Sequence, residues 1–520
     1  MRSSHKQLDR LQVKPNILWY CTDAQRYDTI GALGNQHIRT PNFDRLAFRG
    51  VAFTRTYAQS TLCTPSRVSF LTGRYCASHH VYRNGAEMFP PGEVLATRIL
   101  SQAGYDCALV GKLHISSSEY GEKRYDDGYR VFRWSNMPYP GEAADHLNSY
   151  HEWLREEKKV EPLDVIPRYR MRDKGRSHPS QGDVVSPGLP DELQQSRWIN
   201  EMAIRFVKEP REGPWLLSLN PYEPHSPYKP PKEYLNRYDP ETMPPPLFRP
   251  EDLERQVKFH DIQSQNVYAR NPLGRDLPTT DVGPDNYGKP AELLGDHASK
   301  FNGRLVKCGY YATIEMIDSH FGDLLQALED LGQLENTIVI FHSDHGELLG
   351  DHGLVFKGAR FFEGSVRVPL VVSWPGHFAE DFKSTALTEL IDIAPTLLEA
   401  SGIEVPYFMQ GKSLLPILYS EACDKSHKHV VLSEFHDSCN YNEGTGRPTH
   451  SVMSFNGRYK MVTYQGYELG ELYDLQNDPG EFCDLWDSSA HKDLKLEVMH
   501  QHVSAIMGSI SSGPRRSTRY

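Results

Sequence analysis

The stretch Asn16–Asp23 reads N-I-L-W-Y-C-T-D, a largely apolar run that ends at two polar residues. A continuous apolar run of this kind is typical of a parallel strand that is buried on both faces of a sheet. Open α/β sheets bind their ligands at the carboxyl ends of the strands. The stretch therefore predicts a buried strand that carries Asp23 to a ligand-binding edge.

Further apolar runs recur along the chain, at Tyr105–Val110, Trp215–Leu219, Thr337–His342 and Val368–Ser373. The first three are followed by the polar segments G-K-L-H, P-Y-E-P-H and S-D-H-G. Helices are predicted at Glu93–Ala103, Leu193–Lys208 and Leu305–Leu331, and another begins at Pro41 with Thr40 as its N-cap. Alternating strands and helices indicate an α/β fold with a mostly parallel central sheet covered on both faces.

The domain organisation follows from changes in composition. Two long polar stretches, about 120–190 and 240–300, are interpreted as insertions near the entrance of the substrate pocket. After Pro406 the chain changes to short strands, including Val430–Ser433, Arg458–Tyr464 and Glu471–Leu475. We expect a catalytic α/β domain at residues 1–405 and a C-terminal α+β subdomain with a small antiparallel sheet at 406–520.

Composition excludes several classes of protein. The net charge of −11 argues against a non-specific nucleic-acid binder, which needs basic patches to neutralise phosphates. No window approaches the run of about 20 apolar residues that a membrane span requires. Residues 1–14 lack the apolar core of a secretory signal, and the eight cysteines are scattered without disulfide-framework spacing. These features favour a cytoplasmic protein with free thiols.

The run Cys63–Arg74 reads C-T-P-S-R-V-S-F-L-T-G-R. Pro65 suits a first helical turn and Gly73 suits a helix end, so we expect Cys63 to lie just before a helix N-terminus. The free amides and the positive dipole end at that position form an anion site. Arg67 lies one turn further along, and its guanidinium group can donate two parallel hydrogen bonds to an anion.

That run resembles the signature of the type I sulfatases, which belong to the alkaline-phosphatase-like superfamily. Other stretches match the family in order: T-D-A-Q-R, G-K-L-H, P-H-S-P, S-D-H-G-E-L-L-G-D-H-G, K-G-A-R-F-F-E-G-S-V-R-V-P-L and L-Y-D-L-Q-N-D-P-G-E. The resemblance implies an alkaline-phosphatase-like fold. It also implies that a maturation enzyme oxidises Cys63 to formylglycine. One hydroxyl of the hydrated aldehyde then attacks sulfur, and the other later releases the sulfate.

The resemblance also implies one divalent cation, bound by Asp23, Asp344, His345 and the modified Cys63. Ca²⁺ is favoured, and Mg²⁺ and Mn²⁺ also suit such ligands. Many family members carry a second acid after the first, whereas this chain has Ala24. Water, Gln25 or a smaller set of protein ligands then completes the coordination. Arg26 is a candidate for orienting the first carboxylate.

Four basic residues complete the catalytic set that the resemblance implies. Lys112 matches a lysine that contacts the sulfate and the nucleophile, and Lys357 matches a second sulfate-binding lysine. His114 matches the histidine that assists release of the sulfate. His225 matches the histidine that binds the substrate and protonates the leaving oxygen. Lys112 and His114, two positions apart, are expected to share one face of an extended segment.

Three functions are weighed. The first is hydrolysis of a small anionic sulfate monoester, on a sugar, alkyl or aryl group. The second is hydrolysis of phosphonate monoesters or phosphodiesters by the same chemistry, and the third is an inactive anion-binding relative. His79, His80 and His352 suit either the pocket or packing, and Tyr129–Tyr139 suits either a sugar or aryl site or packing of the insertion. The sequence leaves the oligomeric state open.

Overall fold

A computed structural model describes residues 14–118, 122, 127–140, 144–166, 185–259, 262, 266–269, 271–274, 302–419, 427–436, 449–511 and 513. Residues 1–13, most of the second insertion, and Cys423 and Cys439 lie outside this set. None of the helices in these ranges combines the length and the apolar character needed to cross a membrane.

Within the described residues the central sheet has nine strands, and five of them coincide with the apolar runs noted in the sequence. They are β1 (Asn16–Thr22), β2 (Val51–Tyr57), β3 (Asp106–Gly111), β4 (Tyr129–Trp134), β5 (Trp215–Asn220), β7 (Thr337–Ser343), β9 (Arg367–Ser373), β10 (Phe382–Ser384) and β11 (Thr388–Glu389). Their order is β10-β2-β9-β7-β1-β5-β3-β4, with β11 also paired to β2. Of these nine strands, β9 alone runs antiparallel to its neighbours, β2 and β7, so the described sheet is mostly parallel, as predicted.

Helices cover both faces of the sheet. They are α1 (Pro41–Phe48), α2 (Cys63–Thr72), α3 (Ala96–Gln102), α4 (Ser149–Glu156), α5 (Gln195–Lys208), α6 (Glu251–Val257), α7 (Gly303–Asp330), α8 (Ile393–Ala400) and α9 (Lys492–Ser509). One-turn helices lie at Cys76–His79, Pro162–Val165, Lys232–Leu235, Glu363–Val366 and Leu415–Leu418. Along β1, Leu18 and Tyr20 enter one apolar cluster and Ile17 and Trp19 enter the other. Burial on both faces is the reason that this strand reads as a continuous apolar run.

Two local predictions are corrected. Thr40 occupies the N-cap position of α1 without making a cap hydrogen bond, because its hydroxyl accepts from Gly31 N and donates to Asp44. The carboxylate of Asp318 on α7 accepts from the amides of Asn42 and Phe43 instead. In the first insertion, Tyr129–Trp134 forms edge strand β4 of the central sheet and is therefore part of the core architecture.

A second, antiparallel sheet lies in the C-terminal region. Its strands are β12 (Val431–His436), β13 (His450–Phe455), β14 (Tyr459–Tyr464) and β15 (Gly470–Asp474), in that order. Helix α9 packs against this sheet, where Val498 joins Met461 and Leu472 in a small apolar cluster. A two-stranded ladder pairs β6 (Val267–Tyr268) with β8 (Leu354–Val355). The division at residues 405 and 406 stays a prediction.

Candidate active site

The carboxyl ends of four adjacent strands, in the order β7-β1-β5-β3, form the floor of the site. Asp23 follows β1, and Asp344 and His345 follow β7. The register pairs Thr22 with Ser343, so these side chains emerge side by side. The segment after β5 carries His225, and the segment after β3 carries Lys112 and His114. Polar residues that are far apart in sequence therefore meet at one edge of the sheet.

Cys63 enters this edge from helix α2. It is the first residue of the helix rather than the residue before it, because Leu62 is the N-cap. The helix stops at Gly73, as predicted, and this glycine has a left-handed φ of 68°. The Cys63 side chain is buried at the positive end of the helix, where the free amides favour a negative charge.

The sulfur of Cys63 lies among possible metal ligands. Its Sγ is 3.1 Å from His345 Nε2 and 3.6 Å from Asp23 Oδ1. The ligand atoms of Asp23, Cys63, Asp344 and His345 all lie within 4.8 Å of one another. Because His345 Nδ1 lies 2.7 Å from Gly346 O, we assign the proton to Nδ1, which leaves the Nε2 lone pair directed at the cluster. Two buried carboxylates, an imidazole and a sulfur fit a divalent cation.

Arg67 and Lys112 hold the two carboxylates in place. Arg67 Nε donates to Asp344 at 2.9 Å, and its terminal nitrogens reach Asp23 at 3.4 Å and Lys112 O at 3.1 Å. Lys112 Nζ donates to Asp23 Oδ2 at 2.5 Å. Arg67 was expected to supply an anion-binding fork. In this structure its donors are directed at protein oxygens, so it positions the cation ligands.

Positive charge dominates the ionisation of the site. Burial raises the pKa of Asp23, but neighbouring cations, first Lys112, outweigh it and hold that pKa well below its ordinary range. Burial and the charge of Asp23 raise the pKa of the Cys63 thiol, and the charges of Lys112 and Lys357 outweigh both effects and lower it. Lys357 Nζ lies 3.0 Å from Cys63 Sγ. The site therefore stabilises negative charge at residue 63.

The two catalytic candidates His114 and His225 are more exposed than the cluster beneath them. His225 Nδ1 lies 2.8 Å from the Tyr222 hydroxyl and 2.8 Å from Ser226 O, which fixes the ring and leaves Nε2 for a ligand. Burial lowers the pKa of both histidines well below the usual value, and the charges of Lys357 and Lys112 lower them further. The same positive charges that stabilise Asp23 therefore disfavour the protonated form of both rings in the absence of an anion.

The backbone around Lys112 differs from the expected extended segment. Gly111 has a φ of 104°, and a Cβ there would lie 2.2 Å from Asn220 O, so only glycine allows β3 to approach β5 this closely. His114 has a φ of 56°, and the chain therefore turns between Lys112 and His114. The carboxylate of Glu122 accepts from the amides of His114, Ile115 and Ser116 and stabilises this turn.

Several other residues lie near the site or were expected there. The guanidinium of Arg26 binds Asp28 and Asp351, so the expectation that it orients Asp23 is wrong. His79 hydrogen-bonds Ser69, and His352 stacks on Phe362; both are packing residues. Ala24 N donates to Asp344 Oδ1, and the buried Gln25 Oε1 has no partner among the described residues.

Sequence reasoning missed three supporting residues, Asn84, Glu122 and Tyr222. Asn84 Oδ1 accepts from Thr64 N at 2.9 Å and secures the first turn of α2. Only Tyr222 carried a signal, since it lies in the segment P-Y-E-P-H with His225. Asn84 and Glu122 lie in loops without a recognisable pattern, and their contacts depend on tertiary structure.

Comparisons with known proteins agree with this geometry. The family model "Sulfatase" matches residues 15–403, and the model "N-sulphoglucosamine sulphohydrolase, C-terminal" matches residues 350–507. An arylsulfatase of Clostridium perfringens is 28% identical, with 92% of each chain covered. An N-acetylglucosamine-6-O-sulfatase of Bacteroides thetaiotaomicron is 25% identical, with 94% of this chain and 85% of that protein covered.

A solved structure shares the fold over almost the whole chain. The phosphonate monoester hydrolase of Agrobacterium radiobacter superposes with a TM-score of 0.76 at 24% identity, and 97% of this chain and 98% of that chain are covered. At this identity the likeness concerns the fold, whereas the match to the family model extends over most of the chain. The protein therefore belongs to the sulfatase family of enzymes.

Proposed function

We propose that this enzyme hydrolyses a small sulfate monoester, carried by a sugar, alkyl or aryl group, at residue 63. In this proposal a maturation enzyme converts Cys63 to formylglycine. One divalent cation, for which we favour Ca²⁺, is held by Asp23, Asp344, His345 and residue 63. The observation that carries the proposal is the position of Cys63 Sγ, within 3.0 Å of Lys357 Nζ and beside three candidate cation ligands. The names of the arylsulfatase and N-acetylglucosamine-6-O-sulfatase relatives support a sulfate ester as substrate.

The proposed mechanism assigns the other side chains to binding and proton transfer. When bound, the cation lowers the pKa of the nucleophilic hydroxyl of hydrated residue 63 and offsets the charge of the ester. Lys112 and Lys357 bind the sulfate oxygens. The first hydroxyl of residue 63 loses its proton to solvent and forms a bond to sulfur while the ester S–O bond breaks. His225, which the negative charge of the bound ester keeps protonated, donates a proton from Nε2 to the leaving oxygen. His114 then accepts a proton from the second hydroxyl of residue 63, so that C–O cleavage releases sulfate and restores the aldehyde, which water hydrates again.

The charge of the substrate is the same for both classes of ester that the lysines could bind. A sulfate monoester and a phosphodiester each carry one negative charge near neutral pH, so the two lysines suit either ester. We favour the sulfate ester because the run C-T-P-S-R, which begins at Cys63, keeps the usual form of the sulfatase signature. The same argument makes an inactive anion-binding relative the weakest of the three alternatives, since every reactive side chain of the motif is retained.

The deciding experiment compares ester hydrolysis by wild type, Cys63→Ala and the control Cys308→Ala, after coexpression with a formylglycine-generating enzyme. Mass spectrometry of the peptide that contains residue 63 verifies the aldehyde. We expect wild type and Cys308→Ala, which changes a buried thiol on α7, to cleave 4-nitrophenyl sulfate faster than an aryl phosphonate. Cys63→Ala loses this activity.

Two results would contradict the proposal. Full activity of Cys63→Ala would remove residue 63 from the chemistry. A phosphonate rate that exceeds the sulfate rate by orders of magnitude would favour the phosphonate hydrolase instead. A panel of sulfated sugars, alkyl sulfates and aryl sulfates then identifies the leaving group.

We also propose a reducing, cytoplasmic location. The six described cysteines are free thiols, and five of them are buried, which supports an environment that keeps thiols reduced. Labelling of thiols in freshly lysed cells, with and without prior reduction, tests this proposal, and we expect the same number of reactive cysteines in both samples after denaturation.

A further inference from the structure

A cavity of about 200 Å³ adjoins the candidate active site, and His225 and Tyr222 form part of its wall. It lies between the segment that follows β5 and the helices α4, α5 and α7. The rest of the wall is largely aromatic or apolar and includes Tyr139, Tyr150, Ile166, Leu189, Pro227 and Met316. Because His225 is the proposed acid for the leaving oxygen, we expect the group attached to that oxygen to enter this cavity.

Tyr222 lies between the sulfate end of the site and the cavity. Its ring is 5.6 Å from Lys112 Nζ, which belongs to a proposed sulfate-binding lysine. The ring also contacts that of Tyr139 edge-on, at 6.1 Å and 83°. Tyr139 ends the aromatic stretch Tyr129–Tyr139, for which the sequence left a sugar or aryl site and simple packing open. The cavity gives this tyrosine a place beside the leaving group.

One carboxylate in the cavity wall has an unused hydrogen-bonding oxygen. Glu223 is only 8% exposed, and the amide of Ser196, at the start of α5, donates to its carboxylate. Its Oε2 has no partner among the described residues. A buried carboxylate oxygen without a donor costs free energy. Capping of α5 explains one oxygen of Glu223, and a donor on a ligand would satisfy the other.

The surrounding side chains restrict the kind of donor that fits. The amide of Gln195 is already engaged, since its Nε2 donates to Ser135 Oγ and its Oε1 accepts from Tyr222 N. Lys229 also lines the cavity. A cationic leaving group would be repelled by Lys229 and by protonated His225. A neutral hydroxyl can donate to Glu223 without this repulsion.

We propose that the cavity receives the leaving group and that Glu223 selects a small sugar by accepting a hydrogen bond from one of its hydroxyls. This inference rests on the proposed function, because it names the leaving group of the same sulfate ester. Aromatic and apolar walls suit the C–H face of a sugar ring, and the carboxylate suits its hydroxyl edge. A ring without hydroxyls would displace water from the cavity and leave Glu223 Oε2 unpaired, which lowers kcat/KM for that substrate.

The test compares esters of similar shape with and without hydroxyls. Glucose 6-sulfate is paired with cyclohexylmethyl sulfate, and glucose 3-sulfate is paired with cyclohexyl sulfate. The assays are run at pH 8, because burial raises the pKa of Glu223 to about 7. We expect kcat/KM of wild type to favour at least one glucose sulfate over its cyclohexyl partner by roughly tenfold or more, since hydrogen bonds to charged groups are the stronger ones.

The variant Glu223→Gln separates substrate selection from capping of α5. Its amide oxygen can still accept from Ser196 N, whereas its NH₂ group cannot accept from a hydroxyl. We expect the preference for the glucose sulfate to fall by roughly tenfold, with little change on the cyclohexyl ester. Asp318→Asn is the matched control and should keep the wild-type preference, because this buried carboxylate also accepts from amides at a helix start. A purely structural role of Glu223 would lower both rates together and leave their ratio unchanged.

Three results would overturn the inference while leaving the proposed function intact. They are sulfate ester hydrolysis by wild type without preference for a glucose sulfate, an unchanged ratio in folded Glu223→Gln, and a preference for the cationic ester piperidin-4-ylmethyl sulfate. Circular dichroism melting checks folding, and the wild-type comparison decides if Glu223→Gln does not fold. Failure of formylglycine-containing wild type to cleave any sulfate ester would contradict the proposed function, and this inference with it.

Discussion

Replacement of Arg67 by Met removes the cation that bridges the two buried carboxylates. The Arg67 side chain is 1% exposed, and those of Asp23 and Asp344 are fully buried. At an effective dielectric constant of about 20, its contacts of 3.4 Å and 2.9 Å correspond to attractions of about 5 and 6 kcal/mol. Desolvation offsets much of this, and loss of one partner from a buried pair costs about 3–5 kcal/mol.

We therefore expect Arg67→Met to lower the free energy of unfolding of the metal-free protein by about 3–5 kcal/mol. The matched control is Arg205→Met, because the Arg205 side chain is 54% exposed and pairs with Glu157 at the surface. Exposed pairs of this kind contribute about 0–1 kcal/mol. Urea unfolding followed by tryptophan fluorescence in EDTA measures both changes.

The same unfolding measurement in the presence of Ca²⁺ provides a second comparison of Arg67→Met with wild type. A bound divalent cation neutralises the same carboxylates and stabilises the folded state by mass action. The difference between Arg67→Met and wild type should therefore narrow when EDTA is replaced by excess Ca²⁺. If Arg67→Met and Arg205→Met unfold at the same urea concentration in EDTA, the reasoning from buried charge is refuted.

The remaining predictions concern the leaving-group acid and a distant helix cap. His225→Gln should reduce kcat by roughly 10²–10⁴-fold on an alkyl sulfate, whose leaving oxygen needs a proton, and far less on 4-nitrophenyl sulfate; an equal loss on both substrates would contradict its role as an acid. Burial raises the pKa of Asp318 to about 7, so the folded state binds an extra proton between about pH 4 and 7 and stability falls as the pH rises through that window. Asp318→Asn keeps an oxygen that accepts from Phe43 N but removes the charge, so its urea midpoint should rise relative to wild type more at pH 7.5 than at pH 5; a shift independent of pH would contradict this explanation.

The charge distribution explains how a protein with a net charge of −11 binds an anion. The basic residues Arg67, Lys112 and Lys357 are nearly fully buried at the site. The low dielectric constant around these buried side chains strengthens their electric field inside the site. The negative charges on the protein surface therefore have little effect on that field. Net charge therefore excludes a non-specific nucleic-acid binder but does not argue against a small anionic substrate.

The amino-acid sequence by itself predicted five strands of the central sheet and the candidate reactive set. β1 is buried on both faces, so its apolar run identified it, and its polar end identified Asp23. The run that starts at Cys63 contains a helix start, a basic residue one turn later and a terminating glycine, all of which are local features. The resemblance to the type I sulfatases then placed Asp23 and Asp344 in one site although they are far apart in sequence.

Only the tertiary structure decided which groups partner one another. Arg67 binds the two carboxylates, Asp318 caps α1 in place of Thr40, and Tyr129–Trp134 joins the central sheet. These contacts depend on strand order and on how the helices pack over the sheet, and a local pattern carries neither.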